Sequence, residues 1–170
     1  NITFNTAVFG IFGIISLMVP FVVLISYYAP SFFDIPTNQE NAARILFLGV
    51  TSSFLLQAWA SNFGVSLFAY NRLDLQNLVS AVNTLVQVGL IVILFKLYSP
   101  NLVYIGLAYL IAAVATLVLN IIYSRKINPH LKVNIKDFRR SKVNEITQMG
   151  SWVIINQIGS LLFLQIDIIV

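Results

Sequence analysis

The chain has 170 residues, of which 58% are hydrophobic and 9% charged, with a mean hydropathy of +0.86 and a formal net charge of +4. A soluble domain carries about a quarter of its residues as charged groups, so this composition excludes one and marks an integral membrane protein. The positive balance is that of a membrane protein whose Lys and Arg gather in cytoplasmic loops, so nucleic acid is not an expected partner, and the absence of cysteine removes disulfides and thiolate metal sites.

The first apolar segment, residues 6–28, is long enough to cross a hydrocarbon core of roughly 30 Å. Gly10, Gly13 and Ser16 offer an edge of small residues for close helix contact, and Pro20 predicts a kink. Residues 30–41 read as a loop, marked by Pro30, Pro36, Asp34 and Glu40. The second span is expected over 42–70, where Ser53, Gln57 and Ser61 recur every fourth residue along one face. After the turn Asn71-Arg72-Leu73-Asp74, the third span covers 75–98. Its Gln76, Ser80, Asn83, Thr84 and Gln87 fall within about 100° of one another, and the helix is apolar from there to Lys96. Only half of the membrane thickness therefore sees polar groups on this helix.

Ser99-Pro100-Asn101 makes a tight turn into the fourth span, 102–123, the most lipid-like, with Thr116 and Asn120 as its polar pair. The composition then changes. Residues 124–147 hold Arg125, Lys126, Lys132, Lys136, Arg139, Arg140 and Lys142, and Ile135, Phe138, Ile146 and Met149 suggest the apolar edge of a basic amphipathic linker lying on the membrane surface. A fifth span begins at 148 and is cut off at Val170. One arc of it carries Met149, Trp152, Asn156, Gly159, Ser160, Phe163 and Asp167. A carboxylate at membrane depth costs roughly 2.5 kcal/mol or more, so Asp167 is expected to face a cavity or a partner. The fold class expected is an all-α, polytopic helical bundle. A β-barrel is excluded because the apolar runs are too long.

Eight of the ten Lys and Arg residues lie in the turn at Arg72 and in the linker, which places both on the cytoplasmic side. Asp167 then lies about 22 Å above Trp152 on an outward-running helix. The chain starts at Asn1 without Met and stops inside an apolar run, which reads as an internal piece of a longer protein.

No residue pattern points to an enzyme. His130 stands alone beside Pro129, and the glycines are scattered through apolar spans with no phosphate-binding loop. The polar stripes carry the functional reading. Ser53, Gln57, Ser61, Asn83, Gln87, Asn156 and Ser160 would line a substrate path of neutral hydrogen-bonding groups, with Trp59, Tyr104 or Trp152 as flat apolar surfaces. Such a lining suits sugars better than metal ions. Asp167 is the candidate for H⁺ or Na⁺ coupling, or for an ion pair with a cation elsewhere; Arg72 and Arg125 are candidates for a cytoplasmic mouth, and no cofactor is expected.

The order of elements sharpens this. A span closing in Asn71-Arg72-Leu73-Asp74, two further spans, a basic segment, then Met149-Gly150-Ser151-Trp152-Val153-Ile154-Ile155-Asn156-Gln157-Ile158-Gly159 and Gln165-Ile166-Asp167-Ile168-Ile169 resembles the polysaccharide, or O-antigen-type, flippases of the multidrug/oligosaccharidyl-lipid/polysaccharide exporter superfamily. The resemblance implies that the first four spans correspond to helices three to six of the N-terminal lobe and that the fifth opens the C-terminal lobe. It further implies translocation of undecaprenyl-pyrophosphate-type lipid-linked oligosaccharide across the cytoplasmic membrane by alternating access. Membrane lipids, a polysaccharide polymerase and glycosyltransferases are the partners it suggests. A multidrug or cation antiporter, or a lipid II flippase of the same superfamily, is the alternative, and a non-transporting membrane scaffold is the alternative from outside it.

Overall fold

The computed structural model describes residues 1–148 and 150–151. Inside a bilayer every backbone N–H and C=O must be satisfied within the protein, and a long apolar run meets that demand by coiling. The runs form α1 (Ile2–Phe32), α2 (Glu40–Ala69), α3 (Leu73–Leu97) and α4 (Leu102–Ile127), each long and apolar enough to cross a membrane; no strand occurs among the described residues. A 3₁₀ turn follows at Ile135–Asp137, and residues 140–148 are helical.

The helices run further than hydropathy alone indicated. α1 continues through Pro20 and Pro30 without a break, since each proline removes a single backbone donor. The loop expected from Pro30 is thereby reduced to 33–39, with Asp34 in the left-handed region at φ 48°. α4 runs on through Arg125 and Lys126, whose cations complement the negative end of the helix dipole. Its start is capped by Asn101, whose side chain accepts from the Val103 N–H at 3.0 Å.

The chain divides into two units, Ile11–Lys132 on one hand, and Asn1–Gly10 with the chain from Val133 on the other. In the first unit α2 and α4 lie side by side in parallel, with Gly49 opposite Gly106 near their starts and Ser66 opposite Ser124 near their ends. The approach is backbone against backbone. A Cβ added at Gly49 would sit 2.6 Å from the Gly106 carbonyl oxygen, and one at Gly106 would sit 2.9 Å from that of Ile45. Ala60, Ala108, Ala112 and Ala113 are buried and keep the separation small along the helices. The edge expected of Gly10 and Gly13 is not used in this way, because added methyls there meet no described atom within 4 Å.

α1 instead pairs with α2 through side chains, as an antiparallel neighbour. Phe12 meets Trp59 at 5.7 Å between ring centroids, Phe33 stacks on Phe47 at 5.4 Å, and the Arg44 guanidinium lies 4.5 Å from the Tyr27 ring centroid. Arg44 also pairs with Glu40 at 3.3 Å, so it is held in place rather than extended freely to water. Between the aromatic contacts the helices enclose an apolar groove of about 350 Å³, bordered by Val19, Val23, Leu55 and Trp59.

In the second unit the linker folds onto the first turns of α1. Asn5 is fully buried; its carbonyl oxygen accepts from the Asn134 N–H at 2.9 Å and its amide donates to Asp137 Oδ2 at 3.3 Å. Thr6 Oγ1 accepts from the Arg139 N–H at 3.2 Å. These bonds fix a turn at Ile135–Asp137, so Ile135 and Phe138 do not share a helix face with Ile146 as the amphipathic reading expected.

The α2–α4 contact predicts a sharp sensitivity to volume. Gly49→Ala or Gly106→Ala in the full-length protein should destabilise it by about 1–3 kcal/mol, the usual cost of overpacking, and lower the melting temperature in detergent. An unchanged melt in both variants would contradict the contact.

Candidate functional site: a polar groove between three helices

Polar side chains in the first unit separate into two sets. One set is consumed by packing. Ser53 is buried against the α2–α4 seam with its hydroxyl donating to the Val50 carbonyl at 2.7 Å. Ser66 and Ser124 share a buried hydroxyl–hydroxyl bond of 2.8 Å that joins the ends of the two parallel helices. In hydrocarbon such hydroxyls satisfy one another or the preceding turn.

The other set lines an open groove of about 580 Å³. Gln57 and Ser61 reach it from α2, Gln76, Ser80 and Asn83 from α3, and Thr116 and Asn120 from α4. Gly64 forms part of its floor, where an added Cβ would press on Asn120 Oδ1 at 3.3 Å. Val65, Phe68 and Val79 supply apolar surface. No charged residue is among the described residues that line it. All the contributing residues belong to the halves of the three helices that lead to the Arg72 end.

One contact bridges the groove wall. The Thr116 hydroxyl lies 3.0 Å from Asn83 Oδ1 and 3.0 Å from the Ala112 carbonyl oxygen. A hydroxyl has one proton, so it donates to one of these at a time. With the Asn83 amide turned over, its NH₂ would donate to Thr116 while Thr116 donates to Ala112, and both side chains are then satisfied. The remaining amides and hydroxyls along the groove offer donors and acceptors of neutral charge.

Of the residues expected to line a path, Gln57, Ser61 and Asn83 come together here. Ser53 and Gln87 do not line the groove. The spacing of four that links Ser53, Gln57 and Ser61 rotates about 40° at each step. Ser53 therefore faces α4, Gln57 lines the groove half-buried, and Ser61 is exposed in it. Gln87 is half-buried one turn beyond Asn83. Thr116 and Asn120 had been visible only as an isolated pair in a lipid-like helix; their spacing of four was the available signal. Trp59 packs against Phe12 and Phe63 and borders the apolar groove, while Tyr104 sits beside Tyr98, so neither aromatic flanks the polar groove. Trp152, Asn156, Ser160 and Asp167 lie outside the described residues.

At the Arg72 end a second hollow, of about 400 Å³, is lined by Tyr70, Arg72, Leu75, Tyr123, Lys126 and Ile127. Arg72 belongs to it and Arg125 does not. Tyr123, Lys126 and Ile127 share a helix face, from which Arg125 is turned away, by about 100° from Lys126 and about 160° from Tyr123 and Ile127. The Arg72 fork donates to Asp74 through Nε at 3.0 Å and Nη2 at 2.9 Å, and these bonds raise the guanidinium pKa further above its ordinary value.

Comparison with known proteins identifies one described as "Uncharacterized membrane protein EpsK" from Bacillus subtilis (strain 168), 33% identical over 161 residues. The alignment covers 91% of this chain and 32% of that protein, so the chain spans about a third of its relative's length. No family model matches the chain, and no solved structure does. The helices and the relative agree on the coarse identity. This is a multi-pass membrane protein.

The Asn83–Thr116 bridge is open to a double-mutant cycle. Combining Asn83→Ala with Thr116→Val should reveal a coupling of about 0.6 kcal/mol, the average for hydrogen bonds between membrane helices, in the unfolding free energy. Strict additivity would mean that the two side chains do not bond.

Proposed function

We propose that this chain forms part of a flippase that moves lipid-linked oligosaccharide across the cytoplasmic membrane by alternating access, coupled to H⁺ or Na⁺. The observation that carries this reading is the groove lined by Gln57, Ser61, Gln76, Ser80, Asn83, Thr116 and Asn120. Neutral amides and hydroxyls from three spans converge on one side of the bundle, where a simple helix packing role would need only those that bond to one another. Sugar hydroxyls pair with such groups without a charge to desolvate. The resemblance in the order of spans and in the Gly150–Asp167 segment supports the same substrate class, an undecaprenyl-pyrophosphate-type carrier. A relative about three times as long leaves room for a second lobe and for the cations a pyrophosphate requires. A drug or cation antiporter is the weaker reading, since the described groove carries no acid to attract a cation.

Flux of polysaccharide repeat units, measured in cells that depend on the full-length protein, tests this. Gln57→Ala and Asn83→Ala should each reduce flux roughly two- to ten-fold at unchanged protein level, the weight of one hydrogen bond to substrate. Ser53→Ala should leave flux near wild type. Undiminished flux in both groove variants would sink the reading. Asp167→Asn is expected to abolish the ion dependence, and full transport with unchanged ion dependence would remove Asp167 from coupling.

A further inference from the structure

The hollow at the Arg72 end is built more firmly than a surface depression between helix ends. α2 closes in a Schellman motif: the Arg72 N–H donates to the Leu67 carbonyl at 2.8 Å, and the Asn71 N–H donates to that of Phe68 at 2.9 Å. Asn71 takes the left-handed conformation this needs, at φ 54°, which Asn tolerates better than most residues. Arg72 is at once the last residue of that motif and the cap residue of α3. Its backbone is thus fixed from both sides, and its guanidinium is oriented by two hydrogen bonds to Asp74.

The fork keeps donors in reserve. A guanidinium carries five N–H groups, of which Asp74 engages two. Across the hollow, Lys126 sits in the last turn of α4, one turn beyond Tyr123, and Leu75 and Ile127 supply an apolar base. Asp74 offsets one of the two cations, so the hollow presents a net single positive charge. It lies where three spans leave the membrane, and Tyr70 and Tyr123 are the residue type that settles at that boundary.

We propose that this hollow binds the phosphate of an anionic phospholipid of the bilayer. One net positive charge matches the single charge of a phosphodiester, Arg72 and Lys126 supply the donors, and the tyrosine rings with Leu75 and Ile127 meet the glycerol and upper acyl carbons. A free phosphate dianion would find the apolar base unrewarding. The site is independent of the transport reading, because it uses neither the polar groove nor Asp167.

Purified full-length protein in non-ionic detergent, titrated with phosphatidylglycerol and followed by native mass spectrometry, tests the proposal. The tightest-bound equivalent of phosphatidylglycerol should weaken about five-fold in Lys126→Gln, the weight of one cation at a lipid surface, and comparably in Arg72→Gln. Lys126→Arg should retain it, Lys136→Gln on the linker should leave it unchanged, and diacylglycerol with the same acyl chains should not occupy it. Unchanged affinity in Lys126→Gln and Arg72→Gln would overturn the site. So would an equal loss in Lys136→Gln, which would mean diffuse charge attraction. Inorganic phosphate that displaces the lipid at equal concentration would make free phosphate the ligand and overturn the lipid assignment.

Discussion

The contact of Gly49 with Gly106 is the constraint from which the first unit is built. Helices in a membrane gain little from burying apolar surface, since lipid tails are as apolar as leucine, so association rests on close packing and on hydrogen bonds between helices. At this crossing the packing is as close as backbones allow, with no room for even a methyl group. Small residues extend the seam in Ala60, Ala108, Ala112 and Ala113, and Ser66 with Ser124 closes it by a hydroxyl pair. With α2 and α4 held this near, α3 packs beside them, and its polar edge has a wall on two sides. Without the seam, Gln57 and Asn120 would have no reason to face one groove.

The two kinds of helix contact have different consequences. The α2–α4 seam is backbone against backbone and leaves no groove. The α1–α2 contact is made by aromatic rings and by Arg44 over Tyr27, which keep the helix axes apart and leave an apolar cleft between them. A cleft bordered by Val19, Leu55 and Trp59 suits apolar groups; one bordered by Gln76, Asn83 and Asn120 calls for water or polar ligand. The molecule thus presents hydrocarbon and polar surfaces on different sides of the same helix, α2.

Much of this was legible in the residues, and the failures have physical causes. The spans were plain because an apolar run of twenty or more residues has few alternatives at membrane depth. Their ends were not, because a helix continues past the hydrocarbon whenever its last turns are satisfied: α1 through Pro30 and α4 through Lys126. The polar face of α3 was readable from spacing, and the residues of it that line the groove, Gln76, Ser80 and Asn83, lie in the first half of the helix. Spacing within one helix, however, does not say which neighbour a face meets. Ser53 belongs to the same stripe as Gln57 but is turned into the α4 seam, and Thr116 and Asn120 looked isolated until α3 was set beside them. Asn5 and Thr6 were overlooked because their partners, Asn134, Asp137 and Arg139, lie about 130 residues away in the chain.

The central claim is that the α2–α3–α4 groove is an aqueous compartment and not merely a cluster of interhelical bonds. Single cysteines placed in a cysteine-free full-length protein, probed in intact membranes with a water-soluble thiol reagent, test it most directly. At Gln57, Ser61 and Asn83 the account predicts rapid labelling, and at Ser53 and Ser66, which are sealed in the α2–α4 seam, none. Protection at all three groove positions, or labelling at Ser53 as fast as at Asn83, would contradict it.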